Sequence, residues 1–502
     1  LSTFASRVIT FRDGRILKVQ MQADADLRAN IGYRLHAGQF PMVTSFWPLG
    51  IPAGAPQQIS LTGFNLPSTT LEVDPPDEAR TGTTMRLPIP APETSPVPIP
   101  SISVTPLAEL AEAEPNNGAP EAQQIAFPTV VNARIESSTG QDADYFQFTA
   151  KKDELIVIET LAASLASPLD SKIEILDASG KPLQRAVLRC VAQTALTLSP
   201  RDSRSGGLRL ENWRDLKLRD FVMAGGEVIQ VSRIPGYGDE DVLFKTYQNG
   251  QRMGFFGTTP EHHAVYDPIY KVTVHPPGST FAPNGMPVFP LYWQNDDGFN
   301  ASGDTTGDSR LDFTAPEDGT YIVRVSDVRN LGGPQYAYRL VLRAPEPDFD
   351  VFAGPYYINI PPGSRIPLDV RVVRRDGFNA PVNVSVQGLP EGFSVETEQI
   401  LPDEDIVRIA LSASADAKST PMDARFIVSA ETEIDGKPVK KETALGAITV
   451  SEKQPDLVVN NGEKALELAP GQLGSISLSL ARANDKLIDP RSEEHTSELQ
   501  SL

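Results

Sequence analysis

Glu112-Ala113-Glu114-Pro115-Asn116-Asn117 and, after a short gap, Asp142-Ala143-Asp144-Tyr145-Phe146-Gln147-Phe148 are the stretches on which the reading turns. Carboxylates and amide oxygens gather directly ahead of a run in which Asp144, Phe146 and Phe148 alternate with Tyr145, Gln147 and Thr149. Alternation with a period of two marks a strand with one face in a core. Side chains at every second position of an extended segment share a side, so Glu112, Glu114 and Asn116 can converge. Calcium takes six to eight oxygen ligands, and an acidic segment next to a second acidic turn is a source of them.

The same alternation recurs along the chain. Tyr321, Val323 and Val325 alternate with Ile322, Arg324 and Ser326; Leu368, Val370 and Val372 with Asp369 and Arg371; Val382, Val384 and Val386 with Asn383 and Ser385. Asp177-Ala178-Ser179-Gly180, Glu317-Asp318-Gly319, Arg375-Asp376-Gly377 and Ile434-Asp435-Gly436 are turn words between such runs. Short strands at this spacing predict an all-β chain of tandem β-sandwich domains. Helical periodicity is scarce; Leu107 to Ala113 fits two turns of helix ahead of the acidic words.

Length and punctuation divide the chain. Its 502 residues, with 44 prolines and 37 glycines, suggest about three or four domains. Residues 1–41 read as the end of a preceding β module and 42–85 as a small Ig-like or IPT-like β unit. Residues 86–106 carry prolines at 88, 90, 92, 96, 98, 100 and 106 and read as a polyproline linker with a reach of roughly 65 Å at ~3.1 Å per residue. Residues 107–345 read as one sandwich, 346–450 as an Ig-like sandwich and 451–490 as the start of a further β module. Pro361-Pro362-Gly363 and Pro470-Gly471 each precede a new strand run, as expected of sandwiches in series. The last stretch, Arg491-Ser492-Glu493-Glu494-His495-Thr496-Ser497-Glu498-Leu499-Gln500-Ser501, reads like a translated sequencing adapter, and 491–502 are set aside from fold reasoning.

The ordered words of the central region resemble the bacterial pre-peptidase C-terminal (PPC) domain, a jelly-roll-like β-sandwich appended to secreted enzymes. The first half of the resemblance lies in Glu114-Pro115-Asn116-Asn117, Asp144-Tyr145-Phe146, Leu155 to Thr160, Leu169-Asp170 and Ile173 to Lys181. The second lies in Asp308 to Phe313, Ala315 to Tyr321 and Tyr336 to Leu342. The halves are nearly contiguous in most members. Here about a hundred residues, near 203–300, intervene, which predicts an insertion at a loop; closure entropy grows only slowly with loop length. The resemblance implies a part that binds, spaces or stabilises without catalysing. Related collagen-binding domains hold calcium through a Glu-x-Glu-x-Asn-Asn/Asp stretch and a nearby aspartate pair. Glu112, Glu114, Asn116 and Asn117 match the first part, and Asp142 and Asp144 stand where the second belongs. Calcium is the cofactor this implies.

Other candidates carry less. Asn295, Asp296, Asp297, Asp304 and Asp308 lack the ligand spacing and central glycine of a calcium loop and read as a polar loop re-entering the sandwich. His262 and His263 are adjacent and point to opposite faces of a strand, a poor arrangement for one metal. Gly307-Asp308-Ser309 lacks the Gly-x-Ser-x-Gly elbow of a serine hydrolase. Trp213, Tyr237, Tyr247, Phe255, Phe256, Tyr292 and Trp293 in and beside the insert form either its own small core or a recognition platform. The single cysteine, Cys190, sits among Val187, Leu188 and Val191 as a small packed hydrophobe.

A net charge of −20 argues against nucleic acid as a partner. No run of about 18 apolar residues is present to span a membrane. The expected function is a non-catalytic, extracytoplasmic accessory or adhesion segment of a larger protein, located outside the cell, on its surface or in the periplasm. A polysaccharide or an extracellular protein is its expected partner. The alternative is an accessory region of a secreted peptidase or other hydrolase whose catalytic domain lies outside this sequence.

Overall fold

The computed structural model describes residues 7–12, 15–21, 41–90, 98–136, 142–236, 240–247, 249–259, 261–298, 306–451, 457–460 and 479–482. The chain is all-β: tandem sandwiches and sheets, with two single-turn 3-10 helices, Ala119–Glu121 and Ala163–Leu165, among the described residues. At the two ends Arg7–Arg12 pairs with Arg15–Met21, and Leu457–Asn460 with Ser479–Arg482. Asp304, Tyr237 and residues 491–502 lie outside the described residues.

The first unit has two three-stranded sheets. One joins Met42–Trp47, Gln57–Phe64 and Thr70–Val73; the other places Ser101–Thr105 between Gly50–Pro52 and Thr83–Arg86. The expected linker at 86–106 is therefore corrected. Ser101–Thr105 is a proline-free run in a proline-rich stretch, and its Ile102 and Val104 are fully buried beside Leu87 and Ile89. Proline removes backbone donors only where it stands. Burying two β-branched side chains decides the five residues between Pro100 and Pro106.

The central sandwich packs two five-stranded sheets. The first runs in the order Gln123–Gln124, Asp144–Ala150, Gly319–Asp327, Ser171–Asp177, Gln294–Asn295. The second runs Arg310–Thr314, Leu155–Leu161, Ala337–Arg343, Thr129–Arg134, Glu109–Ala111. Phe146 and Phe148 face inward as their alternation requires, and Phe313 meets Phe148, Tyr321 and Trp293 at 6.2, 5.1 and 5.2 Å between ring centres. The two helical turns expected over Leu107–Ala113 are absent. Glu109–Ala111 instead adds a parallel edge strand to Thr129–Arg134. So short a helix does not repay its own nucleation, whereas the sheet edge offers ready backbone partners.

A seven-stranded antiparallel sheet occupies the chain between Ser171–Asp177 and Gln294–Asn295. It starts with Gln184–Ala195, earlier than the expected boundary near 203, because this strand pairs with Pro268–His275 on one side and Val288–Tyr292 on the other. The insert has its own apolar clusters, one around Leu208, Val222, Ile229 and Phe244, the other around Leu188, Cys190 and Val228. Cys190 is buried, and that burial pushes its thiol up to about 11. Phe255 and Phe256 pack on Phe221, Trp213 lies against the first cluster and Trp293 joins the sandwich core, so these rings are mainly internal.

The last large unit pairs two four-stranded sheets, Asp348–Gly354, Arg365–Arg375, Ile406–Ala413 and Phe393–Val395 against Glu398–Ile400, Val382–Gln387, Phe426–Ile434 and Lys437–Leu445. Asp435 and Gly436, both at positive φ, close the hairpin between Phe426–Ile434 and Lys437–Leu445, the two-residue Asp-Gly loop that suits strand twist.

Two joints hold the units together. At the first, buried Arg339 of the sandwich reaches Glu109 at 2.7 Å, and a Cβ at Gly50 would overlap its guanidinium at 1.2 Å. Arg134 lies 3.9 Å over the Trp47 ring at the same face. At the second, Asp376 of the Arg375-Asp376-Gly377 turn accepts from Arg310, Arg343 and the Glu346 N–H, while Glu159 holds both arginines from the other side.

Candidate metal centre

The acidic words lie where the chain crosses from one sheet of the sandwich to the other. Glu109–Ala111 ends at the edge of one sheet and Gln123–Gln124 begins at the edge of the other. The crossing is pinned by its own backbone. Glu112 N–H donates to Asn132 O at 3.0 Å, Ala113 N–H to the Gln123 side chain at 2.8 Å, and Tyr145 N–H to Asn116 O at 2.9 Å.

This path brings Glu112, Glu114 and Asp144 together, with one carboxylate oxygen of each lying within 4.8 Å of the others. Two oxygens on opposite sides of a calcium ion, each at about 2.4 Å, are separated by about that distance. Glu112 is half-buried and accepts the Arg134 N–H with both oxygens, at 2.9 and 3.0 Å. Glu114 is exposed and accepts the Asn116 N–H at 2.9 Å and the Asn117 side chain at 3.3 Å. Asp144 is fully buried; one oxygen takes the Tyr338 hydroxyl and the other, Oδ1, has no partner.

Asn116 is also fully buried, and neither its amide oxygen nor its amide nitrogen has a hydrogen-bond partner. Buried polar atoms are nearly always paired, so Asp144 Oδ1 and the Asn116 amide oxygen stand as open acceptors beside the carboxylates of Glu112 and Glu114. Asn117 is exposed and orients Glu114. Asp142 stands outside the group of three and accepts the Glu136 N–H at 2.6 Å. The residues thus fit a hard cation through Glu112, Glu114, Asp144 and the Asn116 amide oxygen, with Asn117 and Asp142 supporting the loops.

Electrostatics point the same way. Burial, reinforced by Glu114, Glu136 and Asp142, pushes Glu112 up to about 8, and burial with Glu112 nearby holds Asp144 well above the usual carboxylate range. The Arg134 guanidinium lies over Trp47, and burial weakens its own hold on a proton. An acid whose pKa rises on folding makes the fold bind extra protons between its ordinary and its raised value, so stability falls as pH rises across that window. Without a cation Glu112 should make the fold lose stability from about pH 4.5 to about pH 8. Glu112 should contribute about 2 kcal/mol of this after its partial exposure is allowed for. Melting temperature against pH in a chelator, for the wild type and Glu112→Gln, measures it; the variant should show the shallower slope.

The remaining candidates have structural roles. Asp308 caps Ala163–Leu165, accepting the N–H groups of Ala162, Ala163 and Ser164 at 2.8, 2.8 and 3.2 Å. Ser309 is buried and bonded to Thr160 and Ser171. Asn295 takes part through its side chain, which donates to Arg310 O and accepts the N–H groups of Asp296 and Asp297. Burial and the neighbours Asp296 and Asp170 push Asp297 up to about 6.

His262 is exposed and His263 buried, on opposite faces. His263 meets Glu227 at 2.5 Å, and the same Glu227 oxygen accepts from Arg252 Nε at 3.1 Å and Nη2 at 2.6 Å. That buried trio escaped the sequence reading because its members lie far apart in the chain, with no spacing signal. Tyr338, the partner of Asp144, was visible only as a strand residue in Tyr336-Ala337-Tyr338.

No family model matches the chain, and no curated protein does. Among solved structures, a DUF4785 family protein from Legionella pneumophila aligns over 66% of this chain and 73% of its own, at 8% identity and a TM-score of 0.16.

Proposed function

We propose that this chain is a non-catalytic accessory segment of a larger secreted or surface protein, whose central sandwich is braced by a calcium ion. The observation that carries the cation is the set of orphaned buried atoms, Asp144 Oδ1 and the Asn116 amide, beside the converging carboxylates of Glu112 and Glu114. The sandwich positions Asp144 through the Tyr338 hydroxyl and Glu112 through the Arg134 N–H. Calcium bound there would neutralise carboxylates that otherwise repel one another, and would tie the crossing segment to both sheets. Its place on that segment, close to the Arg134–Trp47 contact with the first unit, suits a brace at a joint. The PPC resemblance and the string of sandwiches support an extracytoplasmic setting, where millimolar calcium is available.

Terbium, which occupies calcium sites and is excited through nearby tyrosines, provides the test. Excitation of tyrosine should give terbium emission that calcium competes away and that Asp144→Asn removes. Emission unchanged in Asp144→Asn would reject the site.

A further inference from the structure

A cleft of about 680 Å³ opens where the central sandwich, the insert and the C-terminal sandwich meet, remote in sequence from the acidic crossing. Its arginines are unequally placed. Arg310 is held by Glu159, Asp312 and Asp376; Arg371 donates to Thr246 O; Arg374 donates to the carbonyls of Ala380, Leu401 and Glu404; Arg375 pairs with Asp348 and Asp350. Arg185 differs. Its guanidinium lies 4.1 Å over the Trp293 ring and 5.6 Å from the Phe256 ring, and among the described residues it makes no hydrogen bond and no ion pair. Burial pulls it down to about 10.

Stacking occupies the flat face of a guanidinium and leaves its N–H edge free for a planar, bidentate acceptor. Asp312 attracts this cation across the cleft but makes no ion pair with it, and a half-buried guanidinium without a paired carboxylate is costly unless something outside the chain completes it. The cleft holds a second unmatched group of the other kind. The Asp297 carboxylate has no donor among the described residues, and burial and its acidic neighbours push it up to about 6. A free fork of donors and a free acceptor in one cleft suit a ligand that carries both a carboxylate and hydroxyl groups.

We infer that this cleft binds an acidic sugar, a uronic acid unit of an acidic polysaccharide, with its carboxylate on Arg185 and a hydroxyl donating to Asp297. Gly257, at φ +73°, lines the same cleft and packs closely on the Gln294 carbonyl and Leu311, with Arg185 Nη1 3.4 Å from where a Cβ would stand. The site is independent of the cation and stands or falls separately from it.

The experiment is calorimetric titration of the full chain, in calcium and in chelator, with trigalacturonate, a neutral trisaccharide of glucose, and triglutamate. Trigalacturonate should bind with a Kd below about 1 mM, at least tenfold tighter than the other two, and should weaken as salt rises. Arg185→Gln should weaken it at least tenfold, and Arg185→Lys, which keeps the charge but not the fork, by less. No binding at millimolar trigalacturonate, equal binding of the neutral sugar, or tighter binding of triglutamate would each overturn the inference. Should Arg185→Gln not fold, an affinity of the wild type that does not respond to salt overturns it equally.

Discussion

Replacing Asp376 with alanine should uncouple the C-terminal sandwich from the central one. Its carboxylate is almost completely buried and accepts from Arg310 and Arg343, which Glu159 holds from behind. Truncation leaves Arg310 and Arg343 sharing Glu159 in a poorly solvated joint, with the more exposed Asp312 left to Arg310 alone. Breaking a buried pair from one side costs about 3–5 kcal/mol, far more than an exposed pair. The same oxygen that serves Arg343 also accepts the Glu346 N–H, so the chain leaving the sandwich at Ala344–Pro347 loses its anchor as well. Differential scanning calorimetry should show the C-terminal unit melting earlier and as a separate transition, with the central sandwich little changed. Asp376→Asn, which keeps one acceptor, should fall between. Unchanged melting of both units would show that the network does not couple them.

Glu227→Ala should be as damaging, but inside the insert. Arg252 and Glu227 are both fully buried, and His263 nearly so. Arg252 also ties the carbonyls of Asp202, Ser205 and Glu261, so one guanidinium gathers the 202–205 turn and the segment at Glu261 onto the strand that begins at Glu227. Without the carboxylate, that cation keeps only neutral acceptors at the base of the seven-stranded sheet. The expected loss is again about 3–5 kcal/mol, read as early exposure of buried Cys190 to a thiol reagent under mild denaturant. Arg252→Met together with Glu227→Met removes both charges and should recover much of the loss, since a matched apolar pair no longer strands either ion.

The fold was legible because burial writes a period of two into the sequence. Asp144-Tyr145-Phe146-Gln147-Phe148 and the Tyr321 to Val325 run show which face goes inward without any knowledge of partners. Pairing was less legible, since it depends on residues far away. Ser101–Thr105 was hidden by flanking prolines, Glu109–Ala111 by a weak helical pattern, and Gln184–Ala195 by its distance from the strands at 268 and 288. The candidate site divides along the same line. Glu112, Glu114 and Asp144 are close in sequence, and local geometry suffices to gather them. Tyr338, Glu227 with Arg252, and the free edge of Arg185 become visible only once distant strands are joined.

These placements give the acidic words a mechanical meaning. They cross from the edge of one sheet to the edge of the other, on the side where Arg134 meets Trp47 of the first unit. Without a cation, three carboxylates and an unsatisfied amide weaken that crossing. On the proposed reading, a bound cation would turn them into a tie between the two sheets. Ligand that binds only the folded state adds stability in proportion to the logarithm of its concentration over Kd.

The most direct measurement is the melting temperature of the full chain in millimolar calcium and in chelator at pH 8, for the wild type and for Asp144→Asn. The account predicts that calcium raises the wild-type melting temperature by several degrees, about 1–3 kcal/mol on the scale of one domain, and leaves Asp144→Asn unmoved. A wild type whose melting is the same in calcium and in chelator would contradict it.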